Sequence, residues 1–401
     1  MNCTLILVGT ELLNGGTVDT NSIYMAEELN KFGIEIAYKL TVGDKLEKIV
    51  DALEFASSKS DLVILSGGLG PTDDDLTKSA VSKFLNRKLK VDNDELEELK
   101  LKFKKRGINF LAKNLKEVEK PEGAISIKND VGMAPAFYVE NLVAFPGVPR
   151  ELFNMFPKFL KFYSEEKKLE IEPIYAKDLL VLGIPESILE EKIKVHFTEP
   201  KIEYEFLVKD YGIIVRMQCK EREKNTVEKI REKIYNSIGE HIFGEDKDRL
   251  EEKIFKKLKE KNYTLSVAES CSGGLLSAKL IGVSGISEIF KEGIVSYSND
   301  AKVNRLHIER EIINRYGAVS KEVAEKMVIG LDSDVAISIT GIAGPTGGSE
   351  EKPVGLVYIG VRVKDKVATF KHNFKGDRNR VRNRAVLQSL FELYKILEED
   401  E

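Results

Sequence analysis

Short apolar runs alternate with amphipathic stretches along residues 1–165 of the chain. The apolar runs at 5–8 and 62–66 are typical of buried strands, and the spacing of apolar residues at 45–57 is typical of a helix. This alternation predicts an α/β fold with a parallel sheet covered by helices on both faces. Further strands are expected at 34–42 and 142–145, and further helices at 22–32, 75–85, 92–106 and up to residue 163.

A second pattern follows the charged segment 164–173, which is interpreted as a linker. The order is strand 177–182, helix 185–194, strands 202–208 and 212–219, and helix 226–237. This order predicts a small α+β module. Because it carries no catalytic constellation, the module is interpreted as a spacer or a dimerisation unit.

The alternating pattern starts again at residue 246 and predicts a second α/β domain. The chain is therefore divided into three domains, at 1–167, 168–245 and 246–401. In the last domain strands are expected at 264–268, 293–297, 335–340, 355–363 and 366–373, and helices at 249–261, 274–281, 300–306, 321–330 and 378–398.

Composition excludes several classes of protein. With 62 basic and 66 acidic residues the net charge is −4, which predicts neither nucleic-acid binding nor a polybasic membrane surface. The three cysteines are far apart without a C-x-x-C pair, and the four histidines are dispersed, so neither a disulfide framework nor a zinc site is expected. No apolar run reaches the roughly 20 residues that span a bilayer. We therefore expect a cytoplasmic protein with small-molecule partners.

A glycine-rich loop, S-G-G-L-G-P-T-D-D-D-L-T, spans 66–77 between a predicted strand and a predicted helix. Glycines in such loops let backbone N–H groups approach a phosphate. The carboxylates at 73–75 suit a divalent cation that bridges to that phosphate, although Asp75 could instead only cap the helix. Gly67, Gly68, Gly70 and Thr72 are the predicted phosphate-binding residues.

Three other loops are expected at the same edge of the sheet, since each follows a predicted strand. They are G-T-E-L-L-N-G-G-T at 9–17, V-G-D at 42–44, which ends in Asp44, and P-G-V-P-R-E at 146–151.

The motif E-S-C-S-G-G at 269–274 lies between a strand and a helix of the last domain. Ser270 and Cys271 are both candidate nucleophiles, with helix N–H groups available to an oxyanion. Gly273 and Gly274 are assigned to substrate binding. The alternative is that Ser272 caps the helix and the cysteine is structural.

Lys302, in Y-S-N-D-A-K at 297–302, is the candidate base for a serine nucleophile if its pKa is lowered by burial. It meets the serine only if the strand before it runs parallel to the strand before Ser270. Tyr297 could relay the proton or orient the pair. An isolated lysine is usually a solvated charge, and His307 is interpreted as a surface residue.

Two more loops are predicted to line this second site. T-G-I-A-G-P at 340–345 and G-G-S-E-E-K-P-V-G at 347–355 supply backbone groups, and G-D-R at 376–378 supplies an arginine for a phosphate. The residues assigned to substrate binding are Thr340, Gly341 and Arg378.

The motifs of the first domain, G-T-E-L-L, G-G-L-G-P-T-D-D-D-L-T and P-G-V-P-R-E, resemble the molybdopterin-binding fold, most closely its version in the CinA family. The resemblance implies metal-dependent hydrolysis of ADP-ribose, with a divalent ion (Mg, Mn or Co) held by Asp44, Asp74 and Asp75. One departure from the family pattern is N-G-G at 14–16.

The second half resembles the CinA C-terminal domain in A-E-S-C-S-G-G, Y-S-N-D-A-K, Y-G-A-V-S at 316–320, T-G-I-A-G-P and G-D-R. The resemblance implies hydrolysis of nicotinamide mononucleotide to nicotinate mononucleotide and ammonia, without a cofactor. It assigns catalysis to Ser270, Lys302 and Tyr297, and substrate contacts to Thr340 and Arg378.

The resemblance thus favours a bifunctional hydrolase of pyridine-nucleotide salvage, expected to be a homodimer. Two alternatives remain: the first domain only binds a nucleotide or pterin, or the protein is an accessory factor of competence or DNA damage.

Overall fold

The computed structural model describes residues 1–209 and 212–399. By its internal contacts the chain divides into two compact units, Met1–Ile174 and Tyr175–Glu401. The described residues contain no helix that is both long and apolar enough to cross a membrane. The cysteines Cys3, Cys219 and Cys271 are free and buried.

The first unit contains a six-stranded mixed sheet in the order β2-β1-β3-β8-β7-β6 and a small β4-β5 pair. Strands β2, β1, β3 and β8 are parallel, whereas β7 and β6 run antiparallel. The α/β fold is confirmed, with an antiparallel edge that the parallel-sheet prediction did not include. The strands are β1 (Asn2–Val8), β2 (Glu35–Val42), β3 (Leu62–Ser66), β4 (Leu89–Val91), β5 (Glu119–Pro121), β6 (Ile125–Ile127), β7 (Ala136–Val139) and β8 (Leu142–Phe145).

Helices cover both faces of this sheet. Two separate apolar cores result, one beneath α2 and α6 and the other beneath α3 and α4. The predicted linker at 164–173 begins too early, because buried residues at helical spacing continue α6 to Glu166. The helices are α1 (Thr10–Leu13), α2 (Asn21–Lys31), α3 (Leu46–Lys59), α4 (Thr77–Phe84), α5 (Asn93–Lys105) and α6 (Pro149–Glu166).

The carboxyl ends of the four parallel strands meet at one edge. Gly9 N donates to Val42 O and Gly67 N donates to Phe145 O, both at 2.9 Å. Gly67 has φ +112°, and a Cβ there would lie 2.1 Å from Val8 O. Only glycine fits so close an approach, which brings the loops after β1, β2, β3 and β8 together.

The second unit contains a four-stranded sheet in the order β10-β11-β9-β12. Its helices pack on one apolar core, as the α+β prediction requires. The last strand, β12, was not predicted. The elements are β9 (Ile174–Val181), α7 (Glu186–Ile193), β10 (Glu203–Lys209), β11 (Gly212–Lys220), α8 (Lys224–Ile238) and β12 (Ile242–Glu245).

The five-stranded sheet of the second unit has the order β14-β13-β15-β16-β17. Strand β13 is parallel to β14 and β15, whereas β16 and β17 are antiparallel. The strands are β13 (Leu265–Glu269), β14 (Phe290–Val295), β15 (Val335–Gly341), β16 (Leu356–Val363) and β17 (Lys366–Asn373).

Helices lie on both faces of this sheet as well, with a large core that includes α9, α10 and α14 and a smaller core that includes α13. The helices are α9 (Leu250–Glu260), α10 (Leu275–Ile281), α11 (Asn299–Leu306), α12 (Arg310–Tyr316), α13 (Lys321–Ile329) and α14 (Arg378–Glu399). Strand β14 begins and ends earlier in the sequence than the predicted 293–297, so Tyr297 lies beyond its end.

Candidate active sites

Ser270 lies on the tight turn between β13 and α10. Its N–H donates to Ile339 O at 2.9 Å, which fixes the turn to the neighbouring strand. Gly273 and Gly274 both have positive φ, +62° and +94°, a conformation that other residues rarely adopt. Ser270 is 8% exposed, so its hydroxyl is held in a largely water-free position.

Lys302 reaches this serine from α11. Its Nζ lies 3.0 Å from Ser270 Oγ and donates to Ser296 O at 2.7 Å and to Tyr297 O at 3.4 Å. The parallel pairing of β13 with β14 brings the two side chains to one sheet edge. Ser298 Oγ accepts from Ala301 N and begins α11, which turns Lys302 inward.

Lys302 is 1% exposed and forms no ion pair with any carboxylate in the described part of the chain. Burial lowers its pKa to about 8. Burial likewise raises the pKa of the neighbouring Cys271 thiol to about 11. A lysine that readily loses its proton therefore lies beside a hydroxyl and beside a thiol that keeps its proton.

Glu269 changes the expected role of the helix N-terminus. Its carboxylate, fully buried, accepts from Gly274 N, Leu276 N and Ser277 N at 2.8–3.0 Å. The N–H groups of α10 that were expected to bind an oxyanion are therefore occupied. The N–H groups of Cys271, Ser272 and Gly273 remain, since in the described residues none of them donates to an acceptor of another residue.

The alternative reading of Ser272 as a helix cap is wrong. The N-cap of α10 is Gly274, and Ser272 Oγ is buried without a hydrogen-bond partner among the described residues.

Tyr297 is placed differently from the predicted proton relay. Its ring is 63% exposed, and its hydroxyl accepts from Arg378 Nη2 at 3.3 Å, whereas only its backbone oxygen contacts Lys302. The other guanidinium nitrogen of Arg378, Nη1, donates to Gly344 O at 2.8 Å. Arg378 thus connects three predicted motifs, and Tyr297 orients the arginine.

Thr340 and Gly341 lie at the end of β15. Thr340 is fully buried and its Oγ1 donates to Ala318 O at 2.8 Å, so its hydroxyl fixes the 316–320 segment. A Cβ at Gly341 would lie 3.1 Å from Cys271 Sγ. His307 is exposed, as predicted.

The first unit has a second candidate site, a cleft of about 500 Å³ at the edge where the four strand ends meet. Of the predicted residues, six line it; Thr72 does not, although its N–H and Oγ1 donate to Asp75 Oδ2 at 2.9 and 2.5 Å. The six are Gly67, Gly68, Gly70, Asp44, Asp74 and Asp75.

Asp75 does not cap α4, which begins at Thr77 with Leu76 as its N-cap. Asp44 accepts from Thr10 N at 2.8 Å, which joins the loops after β1 and β2. Asp73 is exposed and pairs with Lys116 at 2.9 Å, outside the cleft lining.

Three carboxylates in this cleft were not predicted as site residues, namely Glu11, Glu117 and Glu151. Glu151 Oε2 accepts from Asn129 Nδ2 at 2.7 Å, and a Cβ at Gly132 would collide with the Glu151 carboxylate. Burial raises the pKa of Glu117. Glu11 and Glu151 stood in quoted loop motifs, whereas no sequence signal indicated Glu117.

The donor set of this cleft fits a hard divalent cation, since carboxylate oxygens are its preferred ligands. In the described residues no three His, Cys, Asp or Glu side chains come close enough to form a complete metal cage. Mg²⁺ is commonly bound by one or two carboxylates together with substrate phosphates. The three predicted ligands Asp44, Asp74 and Asp75 line the cleft without forming such a cage, so one or two of them could hold an ion together with substrate phosphates.

Comparison with known protein families matches both halves of the chain. The model described as "CinA C-terminal domain" matches residues 247–397, and that described as "Probable molybdopterin binding domain" matches residues 4–165.

The full length is similar to several relatives. A CinA-like protein of Fusobacterium nucleatum is 58% identical over 99% of both chains, and one of Dictyoglomus thermophilum is 40% identical over 97% of this chain and 98% of its own. Among solved structures, a competence/damage inducible protein of Agrobacterium tumefaciens is 34% identical over 37% of this chain and 93% of its own, with a TM-score of 0.36. A CinA protein of Thermoplasma acidophilum is 33% identical over 40% of this chain and 98% of its own, with a TM-score of 0.38.

Proposed function

This chain belongs to the CinA family, and we propose that its C-terminal domain hydrolyses nicotinamide mononucleotide to nicotinate mononucleotide and ammonia. The observation that carries the proposal is the distance of 3.0 Å between Lys302 Nζ and Ser270 Oγ in a buried setting. A nucleophile and a base within hydrogen-bonding reach are what covalent hydrolysis of an amide requires.

The catalytic cycle uses four proton transfers through Lys302, two in acylation and two in deacylation. The neutral Lys302 amine accepts the Ser270 proton while Oγ attacks the carboxamide carbon, and the N–H groups of Ser272 and Gly273 stabilise the negative oxygen. The protonated lysine then donates to the departing nitrogen, which leaves as ammonia. Water, deprotonated by the same amine, hydrolyses the ester and restores Ser270. The pKa of about 8 suits both roles near neutral pH.

The substrate phosphate is assigned to the region of Arg378 and the 340–345 loop. Arg378 is held by Gly344 O and the Tyr297 hydroxyl, which fixes its charge beside that loop. A fixed guanidinium binds a phosphate with little loss of side-chain entropy.

Ammonia release from nicotinamide mononucleotide tests this function directly. We expect Ser270→Ala to lower the turnover by about 10⁴-fold or more, as in other enzymes that lose their nucleophile. Cys271→Ala is the matched control and should retain activity, because its thiol stays protonated. Full activity of Ser270→Ala, or loss only in Cys271→Ala, would reject the assignment.

We also propose that the N-terminal domain hydrolyses ADP-ribose with a divalent ion, Mg, Mn or Co. The supporting observation is that six carboxylates and three loop glycines line one cleft. One or two of Asp44, Asp74 and Asp75 would hold the ion together with substrate phosphates, and the ion when bound would neutralise the charge of a diphosphate. Gly67, Gly68 and Gly70 leave room for backbone N–H groups to approach the phosphates. Release of AMP from ADP-ribose is the test; tight binding without cleavage would favour the alternative of a binding module.

We propose that these two activities act in pyridine-nucleotide salvage and that the protein is a cytoplasmic homodimer. Analytical ultracentrifugation tests the dimer. The alternative of a competence or DNA-damage accessory factor predicts DNA binding, which the net charge of −4 does not favour; a gel shift at low salt distinguishes the two.

A further inference from the structure

An arginine from a distant helix holds the carbonyl groups of the turn that carries Ser270. Arg382, in the first turns of α14, donates from Nε to Cys271 O at 3.2 Å and from Nη2 to Ser272 O at 2.9 Å. Its third nitrogen, Nη1, donates to Asn379 Oδ1 on the same helix at 3.4 Å. The guanidinium therefore bridges its own helix and two consecutive peptide units of the turn.

The two peptide units determine where two N–H groups point. Both bonds are trans, and in a trans peptide the C=O and the N–H lie on opposite sides of the plane. The carbonyl of Cys271 shares its peptide with the N–H of Ser272, and the carbonyl of Ser272 shares its peptide with the N–H of Gly273. An arginine that holds both carbonyls therefore turns both N–H groups away from itself.

Glu269 holds the rest of the turn from within the domain. Its carboxylate takes the next N–H, that of Gly274, at 3.0 Å. The N–H groups of Ser272 and Gly273 are thus left without a protein acceptor in the described residues, and that of Cys271 contacts only its own sulfur. They lie two and three positions after the nucleophile, on the turn where an oxyanion hole is required.

We propose that Arg382 is a positioning residue that presets the oxyanion hole of Ser270 by fixing the carbonyl groups of Cys271 and Ser272. This inference rests on the proposed amidase function. It goes beyond that function because the contacts of Arg382 on the turn are to the Cys271 and Ser272 carbonyl groups and not to Ser270. The forked guanidinium is needed, since one ammonium group cannot hold two separate carbonyls in fixed directions.

The test compares kcat, KM and product affinity in Arg382→Met and Arg382→Lys. We expect kcat of the methionine variant to fall about 10²-fold, as for loss of an oxyanion donor, while KM and the Kd for nicotinate mononucleotide stay within about twofold. The lysine variant should recover part of kcat. Arg380→Met is the matched control, because it removes the same charge from an exposed position of the same helix and should leave kcat unchanged.

Two outcomes would overturn the proposal. An unchanged kcat in Arg382→Met would show that the turn needs no support, and a raised KM and product Kd at constant kcat would assign Arg382 to the substrate phosphate. If the methionine variant does not fold, the same comparison in Arg382→Lys decides between these outcomes.

The affinity for a boronic acid inhibitor, which does not depend on the identity of the substrate, separates this inference from the proposed function. 3-Pyridinylboronic acid adds to a reactive Ser270 Oγ, whose proton passes to Lys302, and the tetrahedral adduct places an oxygen in the hole. We expect its affinity to fall about 10²-fold in Arg382→Met even if nicotinamide mononucleotide is not the substrate. Equal affinity in wild type and variant would overturn the positioning role, whereas absence of ammonia release with intact boronate binding would overturn only the substrate assignment.

Discussion

The two candidate sites lie at similar places in their sheets but are built in opposite ways. In the second unit Ser270 and Lys302 are 8% and 1% exposed. Their hydrogen-bond partners are groups of the chain itself. In the first unit the cleft is lined by carboxylates such as Asp74, which is exposed and bonded only to its own loop. A buried amine can supply its own chemistry, whereas a row of carboxylates needs a cation before it can approach a diphosphate.

Burial accounts for this difference in energetic terms. Removing Lys302 from water disfavours its charged form and lowers its pKa to about 8, which makes it a base. In the first unit, the hydrogen bond from Thr72 lowers the pKa of the exposed Asp74, which favours its charged form. The second unit therefore holds its proposed nucleophile and base within the folded chain, whereas the proposed function of the first unit needs a bound cation.

Metal removal is the strongest way to break this comparison. We expect EDTA to lower ADP-ribose cleavage at least about 10³-fold, because the ion supplies the charge that the cleft lacks, and to leave ammonia release unchanged. Adding back Mg, Mn or Co should restore the first activity. Both activities are measured on one preparation of the full chain. Loss of ammonia release with EDTA, or cleavage of ADP-ribose that resists it, would show that the contrast is wrong.

Asp75→Asn sharpens the contrast within the acidic cleft. The amide keeps an oxygen for Thr72 but loses the charge that a cation requires, so we expect AMP release to fall about 10²-fold. Asp73→Asn is the matched control, since Asp73 points to solvent and pairs with Lys116; it should change the rate by no more than about twofold. Equal losses in the two variants would mean that only the net charge of the loop matters.

The pH dependence of ammonia release reports the protonation state of the buried Lys302 amine in the second unit. Because the neutral form of Lys302 is the base and its pKa is lowered to about 8, kcat/KM for ammonia release should rise about tenfold per pH unit below 8 and level off above it. Lys302→Arg should abolish this rise, because a guanidinium does not lose its proton in proteins. A flat wild-type profile between pH 6 and 9 would contradict the base assignment.

Sequence patterns located both sites because their residues follow strands, and the carboxyl ends of parallel strands meet. The pairing of β13 with β14 was the one condition on which the Ser270–Lys302 contact depended, and it is met. For the same reason the loops that end in Asp44 and that begin with Gly67 come together.

Other parts of the two sites could not be predicted from the sequence. Arg382 contacts the carbonyl of a residue 110 positions earlier, and no local pattern shows which face of a long helix meets a given turn. Glu269 was interpreted only as the first residue of the motif between a strand and a helix, yet its side chain takes the helix N–H groups that were expected to bind the oxyanion. Glu117 lies in a short 3-10 helix, Ala112–Val118, whose path depends on tertiary packing rather than on periodicity.

The smallest expected effect concerns stability, and it isolates the burial of Lys302 from its chemistry. With the folded-state pKa at about 8 and an unfolded value of about 10.4, the cost of the buried charge is full below pH 8 and is relieved as the pH rises toward 10.4. The unfolded state binds more protons in that window, so the free energy of unfolding rises with pH. Lys302→Met lacks this dependence.

We therefore expect the free energy of unfolding of the wild type to rise by about 2 kcal/mol relative to that of Lys302→Met when the pH is raised from 7 to 9.5. Urea unfolding of both proteins at several pH values measures this difference. Lys256→Met, at an exposed position of α9, is the control, and its difference from wild type should not vary with pH. Parallel curves for wild type and Lys302→Met would mean that the amine is charged at no cost, and the contrast between a self-sufficient site and a cation-dependent one would lose its physical basis.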